Sequence, residues 1–500
     1  MLLYFALTCC VSSVAAFPSP PGRYIHLTQD DLADVSSFHS GQPIVGTYFF
    51  YWYNIYTKGH FINSDGSDAL VDHPASQEDY SYTSADWWMR EMRDVTAAGI
   101  DFIAPVYWGV PGYDSWSFQG IPKLVEAWDG LTNAGETPPR IALFYDTSTL
   151  RHNPPGKHVD LTTDEGKKWL YDTIRDYFSL IPPRMWAALD GSPIIFLYSA
   201  AFAAKQDPAA PSYVYKSFED DFSCRPYIVK EVSWQGDADA TYAWGGALGP
   251  RWNDVVALGP GYDHHAVPGR KPLVVDREDG RFYERAWESL LSQNPARRST
   301  MVMVETWNEL HEGTDICDTR EYCRQYIQLT AKYAQQFRTG TQIRRSGPYA
   351  QAEMVFWDSA EDENGACLRS SGDGLIETVP VGDVPAVRTR SNPHGGRYLY
   401  VELDDSFLYD QDTPVNIELT YLDTGCDEIR LEYDSSDDDG SVRQGAFKPG
   451  GQQSIGSSGQ WKTVTFNIAD GRFVNRCNGA DFRFAVAGGD LTIRRIVIRK

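Results

Sequence analysis

Residues 84–109 read SADWWMREMRDVTAAGIDFIAPVYWG. The first fifteen residues have the pattern of an amphipathic helix, and Gly99 stands where a helix C-terminus stops. Residues 100–107 then form a nearly continuous apolar run. A strand of a parallel sheet, covered on both faces, reads this way. One helix followed directly by one buried strand is the repeating unit of an α/β fold.

The same unit recurs on either side. Strands are expected at 44–50, 100–107, 141–145, 193–198, 227–231, 255–258, 301–306 and 352–357. The sixth of these is the weakest, and 272–275 competes with it. Helices are expected at 84–98, 163–177, 281–291 and 321–337. Eight strands over some 320 residues fit a (β/α)8 TIM barrel or a doubly wound sheet. No Gly-x-Gly-x-x-Gly follows the first strand, and no Walker A lysine loop is present, which disfavours nucleotide binding. A long loop after the first strand, 52–83, rich in Tyr, Asp, Gly and His, favours a barrel with an elaborated C-terminal mouth.

Near residue 380 the pattern changes. Short alternating β-branched and aromatic segments (396–402, 414–421, 428–433, 461–468, 482–486 and 491–498) are separated by Gly, Asp and Ser turns. They read as an antiparallel β-sandwich. The expected division is a leader at 1–16, a catalytic barrel at 17–380 and a sandwich at 381–500. The run DSSDDDG from Asp434 reads as a solvated hairpin loop. Structural calcium there, or near Asp404 and Asp405, is the alternative. No other cofactor and no catalytic metal is expected.

The chain has 500 residues, 15 Trp, 29 Tyr, 23 Phe and a net charge of -23. Such a chain has ample apolar surface to fold. Its charge disfavours nucleic acid and anionic membranes as partners. The opening MLLYFALTCCVSSVAA reads as a secretory signal peptide with cleavage before Phe17, so a secreted, extracellular protein is expected; a monomer is the expected state. Six cysteines follow it: Cys224, Cys317, Cys323, Cys367, Cys426 and Cys477. An even number in an exported chain predicts disulfides, with Cys317–Cys323 and Cys426–Cys477 as pairs and Cys224–Cys367 left over.

The segment with most chemistry is 301–313, MVMVETWNELHEG. A hydrophobic strand ends and a polar cluster follows, at the mouth of a barrel if the fold is one. On a helical turn Glu309 and Glu312 share a face. Two neighbouring carboxyls can divide their pKa values, one staying protonated as an acid while the other is ionised. Glycosidic bond cleavage needs that division, and a short separation suits retention of configuration. The bland alternative is a pair of solvated residues at a helix N-terminus. Trp307 offers an apolar wall; Asn308 and His311 can reach hydroxyls or orient a carboxylate. HExxH is absent, so this is no zincin.

WNELHEG resembles the strand-end signature of the GH99/GH71-like superfamily of glycoside hydrolases, in particular the E-x-H-E-G core of the endo-α-mannosidase and endo-α-mannanase family. GTYFFYWYN at 46–54 and AGIDFIAPVYWG at 98–109 also resemble that superfamily, and specifically its uncharacterised DUF5010 branch, often fused to a carbohydrate-binding β-sandwich. The resemblance implies that Glu312 is the general acid/base and that Glu309 deprotonates the sugar 2-hydroxyl, giving a 1,2-anhydro sugar intermediate. Leu310 stands where that family commonly has an aromatic residue, which weakens the transfer of mannose specificity with the motif.

Other strand-end residues are candidates for binding sugar. Tyr51, Trp52 and Tyr53 close the first strand, and Tyr107 and Trp108 the second. Asp146 follows the third. Glu231 and Trp234 follow the fifth, and Trp244 lies in YAWGGALG. His60 in the long loop, His264 in GPGYDHHAV and Trp357 at the last strand complete the set. Packing and capping are the alternative roles for each. The expected function is a secreted retaining glycoside hydrolase acting on a polysaccharide or glycan, with an α-linked mannan or glucan implied by the resemblance. The alternative is a non-catalytic carbohydrate-binding cell-wall protein.

Overall fold

A computed structural model describes residues 21–113, 115–360, 364–370, 373–437 and 445–500. The expected leader at 1–16 lies outside the described residues, as do 438–440 of the DSSDDDG run. The chain forms two compact units. One is built from residues up to Trp287 together with Ser299–Thr341, the other from Glu288–Arg298 together with Gln342–Lys500.

The first unit holds the parallel strands β1 (Ile44–Phe49), β2 (Phe102–Tyr107), β3 (Leu143–Tyr145), β4 (Ser192–Leu197), β5 (Tyr227–Glu231), β6 (Ala240–Tyr242), β7 (Val255–Leu258) and β8 (Met301–Val304). They pair in the order β6-β5-β4-β3-β2-β1-β8-β7. Every residue of β1, β2, β7 and β8 is buried, as two-sided coverage requires. The sheet is strongly curled. Tyr48 of β1 packs against Phe144 of β3 at 4.6 Å, Phe196 of β4 at 5.6 Å and Tyr242 of β6 at 6.2 Å between ring centroids. In a flat sheet β1 and β6, five strands apart, would be separated by about 24 Å. Gly46 lies on the inner wall. A Cβ there would meet the Phe102 ring at 2.3 Å and the Met303 sulfur at 2.6 Å, so only glycine fits between them.

The helices are α1 (Ala85–Ala97), α2 (Trp116–Asn133), α3 (Asp164–Ser179), α4 (Ala210–Phe222), α5 (Arg281–Leu291) and α6 (Gln325–Arg338). Ser84, Ser115 and Thr163 cap the first three by accepting backbone N–H groups. Gly99, with φ 72°, ends the helix before β2. α2 and α4 are not among the expected helices. α2 carries Pro122 inside it, which hides its helical period, and α4 starts at Ala210 with Pro211 in its first turn.

The strand count needs correcting. The sixth strand is β6, only three residues long, so 255–258 is the seventh and 301–304 the eighth. Residues 274–275 pair with 262–263 in a separate two-residue hairpin. The strand expected at 352–357 belongs to the second unit. Met354–Asp358 pairs antiparallel with Thr492–Arg499, and its burial alternates as a strand with one covered face does. The second unit thus takes in the chain from 342, not from 381.

That second unit is a pair of antiparallel sheets. One orders Leu375–Val381, Val384–Arg390, Thr492–Arg499, Val415–Leu422 and Trp461–Ile468, with Met354–Asp358 also on Thr492–Arg499. The other orders Ala366–Arg369, Tyr398–Leu403, Phe482–Ala487, Glu428–Tyr433 and Lys448–Ser454. Ile417, Leu419 and Ile498 from the first share one apolar core with Leu399, Ile429, Leu431 and Phe484 from the second. Residues 288–298 are tied into this unit. Arg297 donates to Asp410 at 2.9 Å and Asp412 at 2.8 Å, and the Asn294 N–H donates to Asp410 at 2.6 Å.

The disulfide expectation is overturned, because all six cysteines are free thiols. The loop expected to be stapled by Cys317 and Cys323 is closed by backbone instead: the Cys323 N–H donates to the Thr319 carbonyl at 2.8 Å. Cys426 and Cys477 lie in two different apolar clusters of the second unit.

Candidate active site

β8 ends at Val304, and residues 305–314 form a tight loop at the C-terminal ends of the strands. The Thr306 N–H donates to the Thr314 carbonyl at 2.7 Å, closing the loop on itself. Residues 310–313 are a turn and not the expected helical start, and the Glu312 N–H reaches the Glu309 carbonyl at 3.4 Å. The turn still keeps both carboxyls in one place.

Glu309 is buried, and its N–H is held by the Thr306 hydroxyl at 2.9 Å. Its carboxylate accepts the His311 backbone N–H at 3.1 Å and faces His311 Nδ1 at 2.8 Å. Burial pushes the Glu309 carboxyl above its usual range; the charge of His311 opposes this and that of Glu312 adds to it. Burial works against protonation of His311, but the Glu309 carboxylate holds its pKa above the usual value. Glu312 is partly open, with 15% of its side chain exposed, and accepts from the Arg270 guanidinium. Arg270 also donates to the Tyr262 hydroxyl at 3.3 Å. His264 Nε2 lies 2.6 Å from the Lys271 carbonyl, which can only accept, and Nδ1 lies 2.9 Å from the Tyr262 hydroxyl. His264 is buried in this chain of bonds and supports the strap that carries Arg270.

The long loop after β1 brings aromatic rings to the pair. Trp52 stacks on His60 with centroids 4.7 Å apart and planes 1° apart, and stands 5.3 Å from Trp108 and 5.4 Å from His311. Burial, then His311, pushes the His60 imidazole down to about 3, so it is neutral. The Trp108 indole donates to Asp146, which also caps the Ser148 N–H at 3.0 Å. Burial pushes the Asp146 carboxyl up. Trp244 packs 5.1 Å from Tyr48 and 5.3 Å from Tyr198. Trp52, Trp108 and Trp244 are only half-buried and keep surface to offer a ligand.

Several expected sugar contacts are packing residues. Tyr51, Tyr53, Tyr107, Trp234 and Trp307 are buried and present no ring face to a ligand. The Tyr51 hydroxyl donates to the Ser117 carbonyl at 2.9 Å. Tyr53 accepts the Leu310 N–H and donates to the Asn308 carbonyl, both at 3.0 Å, and so fixes the loop backbone. Tyr107 packs on Tyr177, and the Trp234 indole donates to the Tyr198 carbonyl. Trp307 points away from the pair toward α1, where its indole donates to Glu91 at 2.7 Å. Burial holds the Glu91 carboxyl up at about 7. Asn308 is buried, and its side-chain oxygen accepts the Phe50 N–H at 2.8 Å. Glu231 caps its own turn through the Ser233 N–H at 2.9 Å. Trp357 is part of the second unit and not of this site.

Three residues were not anticipated. Glu305 is buried and accepts the Gly245 N–H at 2.9 Å and the Ala247 N–H at 3.4 Å, which fixes the loop carrying Trp244. Burial pushes its carboxyl up to about 8. Its only sequence signal is that it ends the apolar run of β8. Arg277 is buried between Asp72 of the long loop, at 2.9 Å, and Asp315, at 3.2 Å, with Tyr322 and Tyr326 on its faces. Arg270 has no signal at all in sequence. A cavity of about 340 Å³ is lined by residues of the long loop, Phe61, Asp68, Leu70 and His73 among them, and by neither residue of the acidic pair.

The carboxylates considered for calcium have protein donors. Asp434 accepts the Val474 and Arg476 N–H groups at 3.0 Å each and the Arg476 side chain at 2.8 Å. Asp404 accepts from Ser406, and Asp405 from Asn475 at 3.1 Å. Among the described residues no cluster of three or more His, Cys, Asp or Glu side chains is arranged to hold a metal. No helix among them is long and apolar enough to cross a membrane.

Solved structures similar to this chain include the GH99 endo-α-mannosidase from Bacteroides thetaiotaomicron, at 15% identity and a TM-score of 0.41, covering 61% of this chain and 98% of that one. A glycoside hydrolase-like protein is similar at 20% identity and a TM-score of 0.43, over 60% and 94% of the two chains. The C-terminal CBM6 of LamC from Zobellia galactanivorans is similar at 14% identity and a TM-score of 0.19, over 29% and 99%. No curated protein matches the sequence. A family model described as a domain of unknown function, DUF5010, matches residues 30–346, well over half of the chain, and the chain therefore belongs to the DUF5010 family.

Proposed function

We propose that this protein is a secreted, retaining glycoside hydrolase whose curled sheet is a (β/α)8 barrel and whose reaction centre is Glu309 with Glu312. One observation carries the reading. Two carboxyls, one buried and one partly open, leave the same tight turn at the strand ends, next to the half-buried rings of Trp52 and Trp108. Export rests on the apolar leader in the sequence. The WNELHEG motif supports an α-linked glycan as substrate and assigns the two roles.

In this mechanism Glu309 takes the proton of the sugar 2-hydroxyl. That oxygen attacks the anomeric carbon as the glycosidic bond breaks, and Glu312 gives its proton to the leaving oxygen. A 1,2-anhydro sugar results. Water then opens it at the anomeric carbon: Glu312 takes the water proton, and Glu309 returns its proton to O2. Two inversions give net retention. The same centre serves a direct nucleophilic mechanism if a carboxylate reaches the anomeric carbon itself.

The test is product release from a panel of α-mannans and α-glucans, with the product anomer read by NMR before mutarotation. E309Q and E312Q should each lose about 10³-fold or more of kcat. Unchanged turnover in both variants sinks the assignment, and glycan binding without turnover in the wild type points to the non-catalytic alternative. The second unit is proposed to hold the enzyme on its polymer.

A further inference from the structure

Resting on the hydrolase reading, we infer that His311 is a positioning residue which stores one proton against Glu309, in a tautomer fixed by the backbone of the long loop. His311 Nε2 lies 2.8 Å from the His60 carbonyl oxygen, which can only accept, so Nε2 carries a proton. Nδ1 lies 2.8 Å from a Glu309 carboxylate oxygen. A hydrogen bond there needs exactly one more proton, held on the imidazole or on the carboxyl. Both ring nitrogens are thus engaged by protein, and neither is left for a sugar hydroxyl. His311 acts through Glu309.

The surroundings favour the proton on the imidazole. The ring lies 5.5 Å from Tyr53, nearly parallel at 27°, and 5.4 Å and 5.6 Å from Trp52 and His60. Aromatic faces stabilise a flat cation. His60 is held neutral, so it adds no repulsion. The groups facing the pair are Trp52, Tyr53 and His60 from the long loop, and Thr306 and Glu312 from its own loop. With the proton on His311, Glu309 is an ionised and buried base, which is what removing the proton of O2 requires. The loop that carries His60 also carries Trp52, so the element that would grip the sugar sets the tautomer of the base's partner.

The experiment uses the full chain with ¹⁵N-labelled histidine. In the wild type, His311 should show Nε2 protonated throughout its titration, and E309Q should lower its apparent pKa, because burial is then opposed only by the His60 carbonyl and the Glu312 charge. In parallel, H311F should cut kcat by about 10²-fold with KM within about threefold. The acid limb of its kcat/KM profile should move to higher pH, since Glu309 loses the cation that favours its ionised form. An Nδ1-protonated neutral tautomer, or a His311 titration unaffected by E309Q, overturns the inference even if H311F does not fold. An unmoved acid limb in a folded H311F overturns it too. If E309Q keeps full activity, the hydrolase reading fails first; if E309Q is inactive but His311 titrates as before, only the present inference fails.

Discussion

Replacing Arg277 with methionine tests how the long loop is tied to the loop that bears the acidic pair. Arg277 is 7% exposed, between Asp72 at 3% and Asp315 at 1%. Its guanidinium donates to both carboxylates, and to the Asp315 carbonyl at 2.8 Å. Methionine keeps most of the volume and leaves the two acids without their cation. Breaking a buried pair in this way costs about 3–5 kcal/mol. At about 2–4 °C per kcal/mol, the transition of the first unit should fall by roughly 6–20 °C in calorimetry. Burial, followed by the Asp72 carboxyl, already raises the pKa of Asp315 far above its usual value, while Arg277 opposes them. The variant should therefore protonate Asp315 more readily still. A carboxyl whose folded pKa is raised gives stability that is present at low pH and lost as pH rises. The deficit of R277M against wild type should accordingly shrink as pH falls from 7 toward 4. The triple variant D72L/R277M/D315L should regain most of the loss at neutral pH. A deficit below about 1 kcal/mol, or one independent of pH, refutes the reasoning.

Four further outcomes are expected. Glu305, with its carboxyl raised by burial from 4.5 to about 8, should make the wild type lose stability as pH rises through that interval, and urea titrations of E305Q should show a flatter pH dependence. W52A and W108A should each raise KM about 5- to 100-fold with kcat within about threefold in steady-state assays, as loss of a stacking ring implies. D146N should weaken binding less than W108A, because it disturbs the orientation of the indole but keeps the ring. Alkylation without reductant should label all six cysteines after denaturation, and Cys323 before the others in the native protein, since it is the exposed thiol.

Much of the first unit was legible because parallel strands covered on both sides carry unbroken apolar runs. The three-residue β6 is too short to form such a run and leaves no signal in the sequence. Residues 352–357 were misplaced because a short alternating strand can look like a buried one when its outward residues, Met354 and Phe356, are themselves apolar. The acidic pair could be read from a strand running into WNELHEG. The identity of the rings that face it could not. Tyr51, Trp52 and Tyr53 are consecutive aromatics, and only tertiary packing decides that the middle one keeps surface while its neighbours are buried. Arg270 reaches Glu312 across 42 residues of chain, a partnership set by the strap and by no local pattern.

The ties of residues 288–298 to Asp410 and Asp412 bear on how the gene can be cut. Helix α5 starts in one unit and its last turn is counted with the other, and the chain returns at Ser299 to supply β8. A truncation after Thr341 would leave Arg297 and Asn294 without their acceptors while keeping the segment that needs them. The two modules are spliced, not strung in tandem, so neither can be exchanged between homologues by a single crossover.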